Sequence, residues 1–291
     1  MATLRDIKRR IKAVQNTRQI TKAMKMVAAA KLRRVQSRML EMRPYADKMN
    51  AVISSLARGA EREAHPLLTS RPREAVEVLV LTSDRGLCGA FNANILRAAT
   101  KLVADLRAQG FEKVTISTIG KKARDYYKRR EANIRKQWTG FSGKVSYGSA
   151  QEVARDLIDN YLAETLDEVH LVYNEFVNVV QQRVAVARLL PLAAPESAEG
   201  GLEPVDFIFE PSERELLERL LPKNVEIQIF RALLESQASE EAARMTAMEN
   251  ATKSANEMID SLTLQYNKAR QATITKELMD IVGGVEALKE S

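Results

Sequence analysis

Cysteine, histidine, glycine and proline are all scarce in this chain of 291 residues, and each shortage excludes something. A single cysteine, Cys88, excludes an intrachain disulfide and a cysteine-rich zinc site. Two histidines, His65 and His170, are too few for a histidine-based metal cluster. No apolar run approaches the roughly 18 residues of a membrane-spanning helix. The opening MATLRDIKRR lacks the apolar core of a secretory signal, so a reducing, cytoplasmic setting is expected. Glycine is missing from residues 1–58, where Pro44 is the only breaker. Neither glycine nor proline occurs from Lys223 to Val282. Two long helices are the direct consequence, and an unbroken helix over the second stretch would reach roughly 90 Å. An ordinary globular helix has only about 12 residues.

Acidic residues are scarce too, but only at one end. Residues 1–58 carry fifteen Lys and Arg against three Asp and Glu, a net of +12 in a chain whose total is +7. The rest of the chain is therefore net acidic, and the basicity belongs to one helix. Its centre reads TKAMKMVAAAKLRRVQ (21–36), without an acid, glycine or proline. Apolar content of 45% with 29% charge is that of a folded, soluble protein. Three partners fit so basic a helix: nucleic acid, a membrane surface or an acidic protein. Aromatics are absent up to Pro44, and no helix-turn-helix, RNP or zinc signature accompanies the charge, which weighs against nucleic acid. The face opposite the charge is rich in alanine and lacks the bulky anchors of an interfacial helix. An acidic protein partner fits best, alongside partial pairing with the acidic C-terminal helix, where residues 226–282 hold nine acids and six bases.

Periodicity divides the chain into four parts. Residues 1–58 read as an N-terminal shaft helix, with Leu4, Ile7, Ile11, Val14, Ala28, Leu32, Val35, Met39 and Met42 at helical spacing. Arg18, Thr21 and Lys25 interrupt that stripe, while Ile20, Met24 and Val27 lie on another face. Residues 59–73 are a connector. Residues 74–210 form a central domain, where VEVLVLT (76–82), KVTISTIG (113–120), DEVHLVYNEFV (167–177) and VDFIFE (205–210) read as strands. VVQQRVAVARLLPL pairs with the third as a hairpin, and helices follow at FNANILRAATKLVADLRAQG, after Gly120 through Arg129, and at 151–164. Strands alternating with helices predict a mainly parallel sheet. APESAEGGLEP (194–204) reads as a polar loop. Residues 211–291 form the C-terminal shaft helix, after a short capped helix starting at Ser212 that should stop near Pro222. Neither long stripe can be buried within a domain of this size. The expected fold is therefore α/β, with an antiparallel two-helix coiled coil of N- and C-terminal helices and a central Rossmann-like domain.

Chemistry is sparse. SDRGLCGAFN (83–92) links a strand to a helix, but it is neither a P-loop nor GxGxxG. Its glycines suit a tight turn, and Asp84 and Arg85 suit a local pair or a partner contact. Cys88 has no neighbouring histidine in sequence, and His170 sits in a strand. Trp138 suits the anchoring of a loop or strand edge. No catalytic, cofactor or metal constellation is visible, so an enzyme built on the α/β domain and a nucleic-acid adaptor remain the weaker alternatives.

Three stretches carry a resemblance. IKRRIKAVQNTRQITKAMKMVAAAKLRRVQ, SDRGLCGAFN and LQYNKARQATITKELMDIVGG resemble the gamma subunit of bacterial F-type ATP synthases, in the same order along essentially the whole chain. The family pattern I-T-x-E-x-x-[DE] is met by Ile274, Thr275, Glu277 and Asp280; Val285 stands where the family has alanine after the second glycine. The resemblance implies a non-catalytic rotor shaft without cofactor, one copy per complex, inside a hexamer of alpha and beta subunits. It also implies a foot resting with the epsilon subunit on the c-ring at the cytoplasmic face of the bacterial membrane. Membrane contact would run only through the ring, and nucleic acid would have no part. By motif position, Lys22, Met24, Lys25, Arg244, Arg270, Gln271 and Thr275 resemble the family's coupling surface, with Lys25 at a position where an acid also occurs. Only one cysteine is present, so the redox switch of the chloroplast form is not expected.

Overall fold

Alternation of side chains decides the central sheet. In the computed structural model, which describes residues 3–59, 65–71, 74–141, 143, 145–192 and 212–289, VEVLVL forms the middle strand. This strand β1 (Ala75–Leu81) is flanked by β2 (Lys113–Ile119) and β4 (Glu168–Phe176), both parallel to it. Outside them lie β3 (Ile134–Trp138), parallel to β2, and β5 (Gln182–Leu190), antiparallel to β4, in the order β3-β2-β1-β4-β5. Val76, Val78 and Val80 point to one face and Leu79 and Leu81 to the other, the two-residue period of a strand buried on both sides. Helices α2 (Phe91–Ala108) and α3 (Lys121–Lys128) cover the first face through Ile95, Ala99, Val103, Ala123 and Tyr127. Helix α4 (Tyr147–Leu162), capped by Ser146, whose side chain accepts from the Ser149 N–H, covers the second with Val153, Leu157 and Tyr161.

The expected parallel sheet and its hairpin are therefore present. Strand β3 was not foreseen, because IRKQW exposes most of its polar residues and lacks an apolar run. Trp138 anchors it in the core, as its bulk suggested. The strand expected at 205–210 and the loop expected at 194–204 lie outside the described residues.

The terminal helices are longer than their punctuation implies. Helix α1 (Leu4–Gly59) runs through Pro44, and helix α5 (Glu213–Lys289) runs through Pro222. Ser212 caps α5 by accepting from the Glu215 N–H at 3.3 Å, as its spacing predicts. The expected stop near Pro222 is wrong. A proline inside a helix costs roughly 3 kcal/mol, but Leu217, Leu221, Val225, Ile227 and Ile229 are buried on either side of it. Burying one such side chain stabilises by about 1.5–3 kcal/mol, so packing overrides the breaker. The carbonyl that loses its partner belongs to exposed Glu218, where water can replace the missing N–H.

The chain divides into two compact units, Ala28–Arg244 and Met1–Val27 with Met245–Ser291. The first contains the sheet, its helices and the adjoining parts of α1 and α5. Leu32 and Val35 of α1 and Leu234, Ala238 and Ala242 of α5 join the core on the α4 face. In the second unit α1 and α5 run antiparallel. Arg18 donates to Asn256 at 3.3 Å, the Thr21 and Thr252 hydroxyls meet at 2.8 Å, and Lys25 meets Glu249 at 2.7 Å. Ile7, Met248 and Ala255 are buried, while Ile20 and Val27 stay exposed on another face.

Candidate functional site

The seam of the second unit explains why the apolar stripe breaks at Arg18, Thr21 and Lys25. These three residues make the polar contacts across it, and small residues such as Ala255 let the helices approach. One of the two hydroxyls donates across the seam, and the one that accepts is left free to donate to a carbonyl of its own helix, that of Arg18 for Thr21 or of Met248 for Thr252. Lys25 remains 38% exposed and Glu249 58%, so their pair is a surface one.

Carried along both helices, the spacing of the Arg18–Asn256 and Lys25–Glu249 pairs would bring Leu4, the first residue of α1, level with Arg270. Past that level no described residue of α1 stands opposite α5, and every residue from Arg270 to Val282 is exposed. Ile274, Leu278, Met279, Ile281 and Val282 are among them, each about half or more exposed. Five large apolar side chains so exposed within about two and a half turns make a surface that monomeric proteins rarely carry.

The seven coupling candidates fall into three environments. Lys22, Arg270, Gln271 and Thr275 are exposed, and Met24 is half-buried. Lys25 is tied to Glu249. Arg244 is different: its side chain is 90% buried, between Glu240 at 2.6 Å and Glu241 at 3.1 Å. It reaches the Gly86 carbonyl at 3.5 Å. Burial alone would lower the pKa of the guanidinium, but the two carboxylates outweigh it and hold it higher than usual. Glu241 also faces Lys31 of α1 at 3.5 Å. Sequence reading missed Lys31, Glu240 and Glu241. The available signal was a pair of acids three and four residues before an arginine on one helix.

The loop SDRGLCGAFN is an internal brace. Asp84 accepts from the backbone N–H groups of Lys121 and Gly140, both at 3.0 Å, which ties the ends of three strands together. Asn92 accepts from the Ser83 N–H at 3.0 Å and donates to Cys88 at 3.2 Å. Burial pushes the Cys88 thiol up, against the opposing pull of Arg244, so this cysteine is not poised as a nucleophile. His170 lies on β4 beside Glu168, at 2.9 Å. Ligands of open α/β sheets usually sit at the carboxyl ends of the strands, where chain order reverses. Here that point lies between β1 and β4, and α5 fills it: Ser239 donates to the Asn174 carbonyl, and Arg244 reaches Gly86. Among the described residues no cluster of His, Cys, Asp and Glu could hold a metal ion, and no helix is long and apolar enough to cross a membrane.

The model of the ATP synthase family matches residues 3–288. The chain is 52% identical to the ATP synthase gamma chain of Anaeromyxobacter dehalogenans, over 99% of this chain and all of that one. It belongs to the ATP synthase gamma-chain family. The Geobacter metallireducens gamma chain is similarly close, at 48% identity with the same coverage. A central-stalk chain from the Tetrahymena thermophila mitochondrial ATP synthase superposes with a TM-score of 0.60 at 26% identity, covering 80% of this chain and 99% of that one. A chain from the Euglena gracilis enzyme shares the fold, with a TM-score of 0.68 at 22% identity, covering 98% and 94%. Family membership makes the chain a component of an ATP synthase. The paired helices and the bare end of α5 acquire a context from it.

Proposed function

We propose that the chain is the central rotor shaft of a bacterial F-type ATP synthase and is not itself catalytic. One copy would stand inside a hexamer of alpha and beta subunits, with the sheet-bearing unit resting beside the epsilon subunit on the c-ring. Membrane contact would then run only through the ring, at the cytoplasmic face. Ion flow turns the ring, the shaft turns with it, and its uneven surface meets each catalytic site differently at each angle. Coupling of that kind is a difference in contact free energy between states. No nucleotide chemistry is asked of this chain, whose strand-end crevice is taken up by its own helix.

The observation that carries this reading is the uncovered end of α5. Residues 270–282 are exposed on all sides, apolar ones included, as a shaft end meant for a surrounding sleeve would be. Lys22, Met24, Lys25, Arg270, Gln271 and Thr275 would meet the hexamer, the lysines facing acidic segments. Arg244 would serve the same coupling from inside.

The test is proton pumping per ATP hydrolysed in reconstituted membranes. Lys22→Glu with Lys25→Glu should lower it while subunit stoichiometry holds, since exposed ion pairs contribute only about 0–1 kcal/mol each. Truncation after Val282 should cost less. If truncation uncouples and charge reversal does not, the shaft works through its tip and the charge argument fails.

A further inference from the structure

Eleven consecutive residues of α5, Ala232 to Ala242, are buried. A surface helix buries one stripe and shows water the other, whereas this stretch is enclosed around three turns. The enclosure is not an apolar one, because Glu235, Ser236, Gln237, Ser239, Glu240 and Glu241 lie inside it. For Ser239, Glu240 and Glu241 the partners come from three directions. Ser239 donates to the Asn174 carbonyl at the end of β4. Lys31 of α1 faces Glu241. Arg244, held by Glu240 and Glu241, reaches Gly86 in the loop after β1.

Apolar packing is non-directional, so a smooth helix in an apolar sleeve resists turning about its axis only weakly. Hydrogen bonds and ion pairs have preferred angles and weaken steeply away from them. Polar contacts from Ser239, Glu241 and Arg244 to β4, α1 and the loop after β1 therefore fix the rotational setting of this stretch. We propose that residues 235–244 are a keyed joint that locks α5 against rotation relative to the sheet, with Arg244 as the positioning residue that latches the Gly86 loop onto the helix. The inference rests on the rotor reading. Torque entering at the sheet-bearing unit reaches the hexamer only if α5 cannot slip where it passes the strand ends.

Cys88, the one cysteine of the chain, lies buried in that same loop and reports the latch. The experiment uses the assembled complex in membranes, measuring maleimide labelling of the Cys88 peptide by mass spectrometry together with protons pumped per ATP hydrolysed. Arg244→Met should label about tenfold faster, on the scale of lost charged hydrogen bonds, and should pump fewer protons per ATP. Losing the arginine charge by itself would slow thiolate formation, so faster labelling reports an opened loop. Ser239→Ala, a milder change with no place in the surface contact set, should shift both readouts in the same direction by less.

Wild-type labelling with lost pumping would overturn the joint and return Arg244 to direct partner contact. Faster labelling with full pumping would overturn it also, because an opened latch would then carry torque unchanged. If the unaltered chain fails to support pumping in a complex freed of any other gamma subunit, the rotor reading falls first and the joint with it.

Discussion

Lys25 of α1 and Glu249 of α5 meet at 2.7 Å across the antiparallel seam. The basic helix therefore neutralises part of its charge within the chain, while Lys22, three residues earlier, remains exposed. The two lysines can be told apart by a charge swap. Lys25→Glu with Glu249→Lys restores the internal pair in reverse and leaves Lys22 untouched. If partner contact at position 25 matters, the swap should pump as poorly as Lys25→Glu alone, although thermal stability returns to within about 0.5 kcal/mol. Recovered pumping would show that only the internal pair matters.

A second prediction concerns Glu77, a carboxylate with no solvent exposure in the middle strand. Arg135 of β3 binds it through two nitrogens and also pairs with Asp156 of α4. Arg135→Met should destabilise the chain by about 3–5 kcal/mol, the usual cost of leaving a buried charge without its partner. Glu77→Gln with Arg135→Met should recover much of that loss. Urea unfolding midpoints at neutral pH check both values.

The same network sets an acid limit. Burial raises the Asp156 carboxyl pKa, but hydrogen bonds from Arg135 and Lys136 overcome it and hold the group below its ordinary value. Its contribution is present above the unfolded pKa of about 3.9 and is lost as pH falls through the lower folded value. Asp156→Asn should therefore flatten the stability curve below about pH 4 and leave its shape near neutrality unchanged. Unfolding midpoints from pH 2.5 to 7 are the measurement.

His65 supplies a dependence nearer neutrality. Its Nδ1 accepts from the Leu67 N–H at 3.2 Å, which only the neutral ring can do. Burial lowers its pKa despite the opposing charge of Glu218. A histidine lowered on folding contributes stability that is full above its unfolded pKa of about 6.5 and declines as pH falls below it. His65→Asn, which keeps an acceptor without a titrating ring, should remove that decline below about pH 6.5. Thermal melts across this range decide the matter.

Much of the architecture was legible because period carries it. The apolar, β-branched composition of VEVLVLT located a buried strand, and the missing glycines and prolines located the long helices. The break at Arg18, Thr21 and Lys25 was visible, but it suggested a second partner for the middle of the helix, whereas all three residues still face α5. Local signals failed where distant packing overrode them. Pro222 stays helical because Leu217 and Leu221 on one side and Val225 on the other are buried in the same core. Strand β3 is held by pairing with β2 and by Arg135 reaching Glu77, neither of which shows in IRKQW. Motif position put Arg244 among the contact residues, yet its burial depends on Gly86, far away in sequence. Charge type alone could not separate it from exposed Arg270.

The rotor claim is tested most directly by watching the chain turn. Lys101, exposed on α2 in the sheet-bearing unit, can be replaced by cysteine to carry a gold bead, with Cys88 changed to serine. The alpha–beta hexamer assembled around this chain is fixed to glass and given ATP, and bead angle is recorded. The account predicts continuous rotation in one direction that stops when ATP is withdrawn. A bead that stays still, or only jitters, while the same complexes hydrolyse ATP at full rate would contradict it.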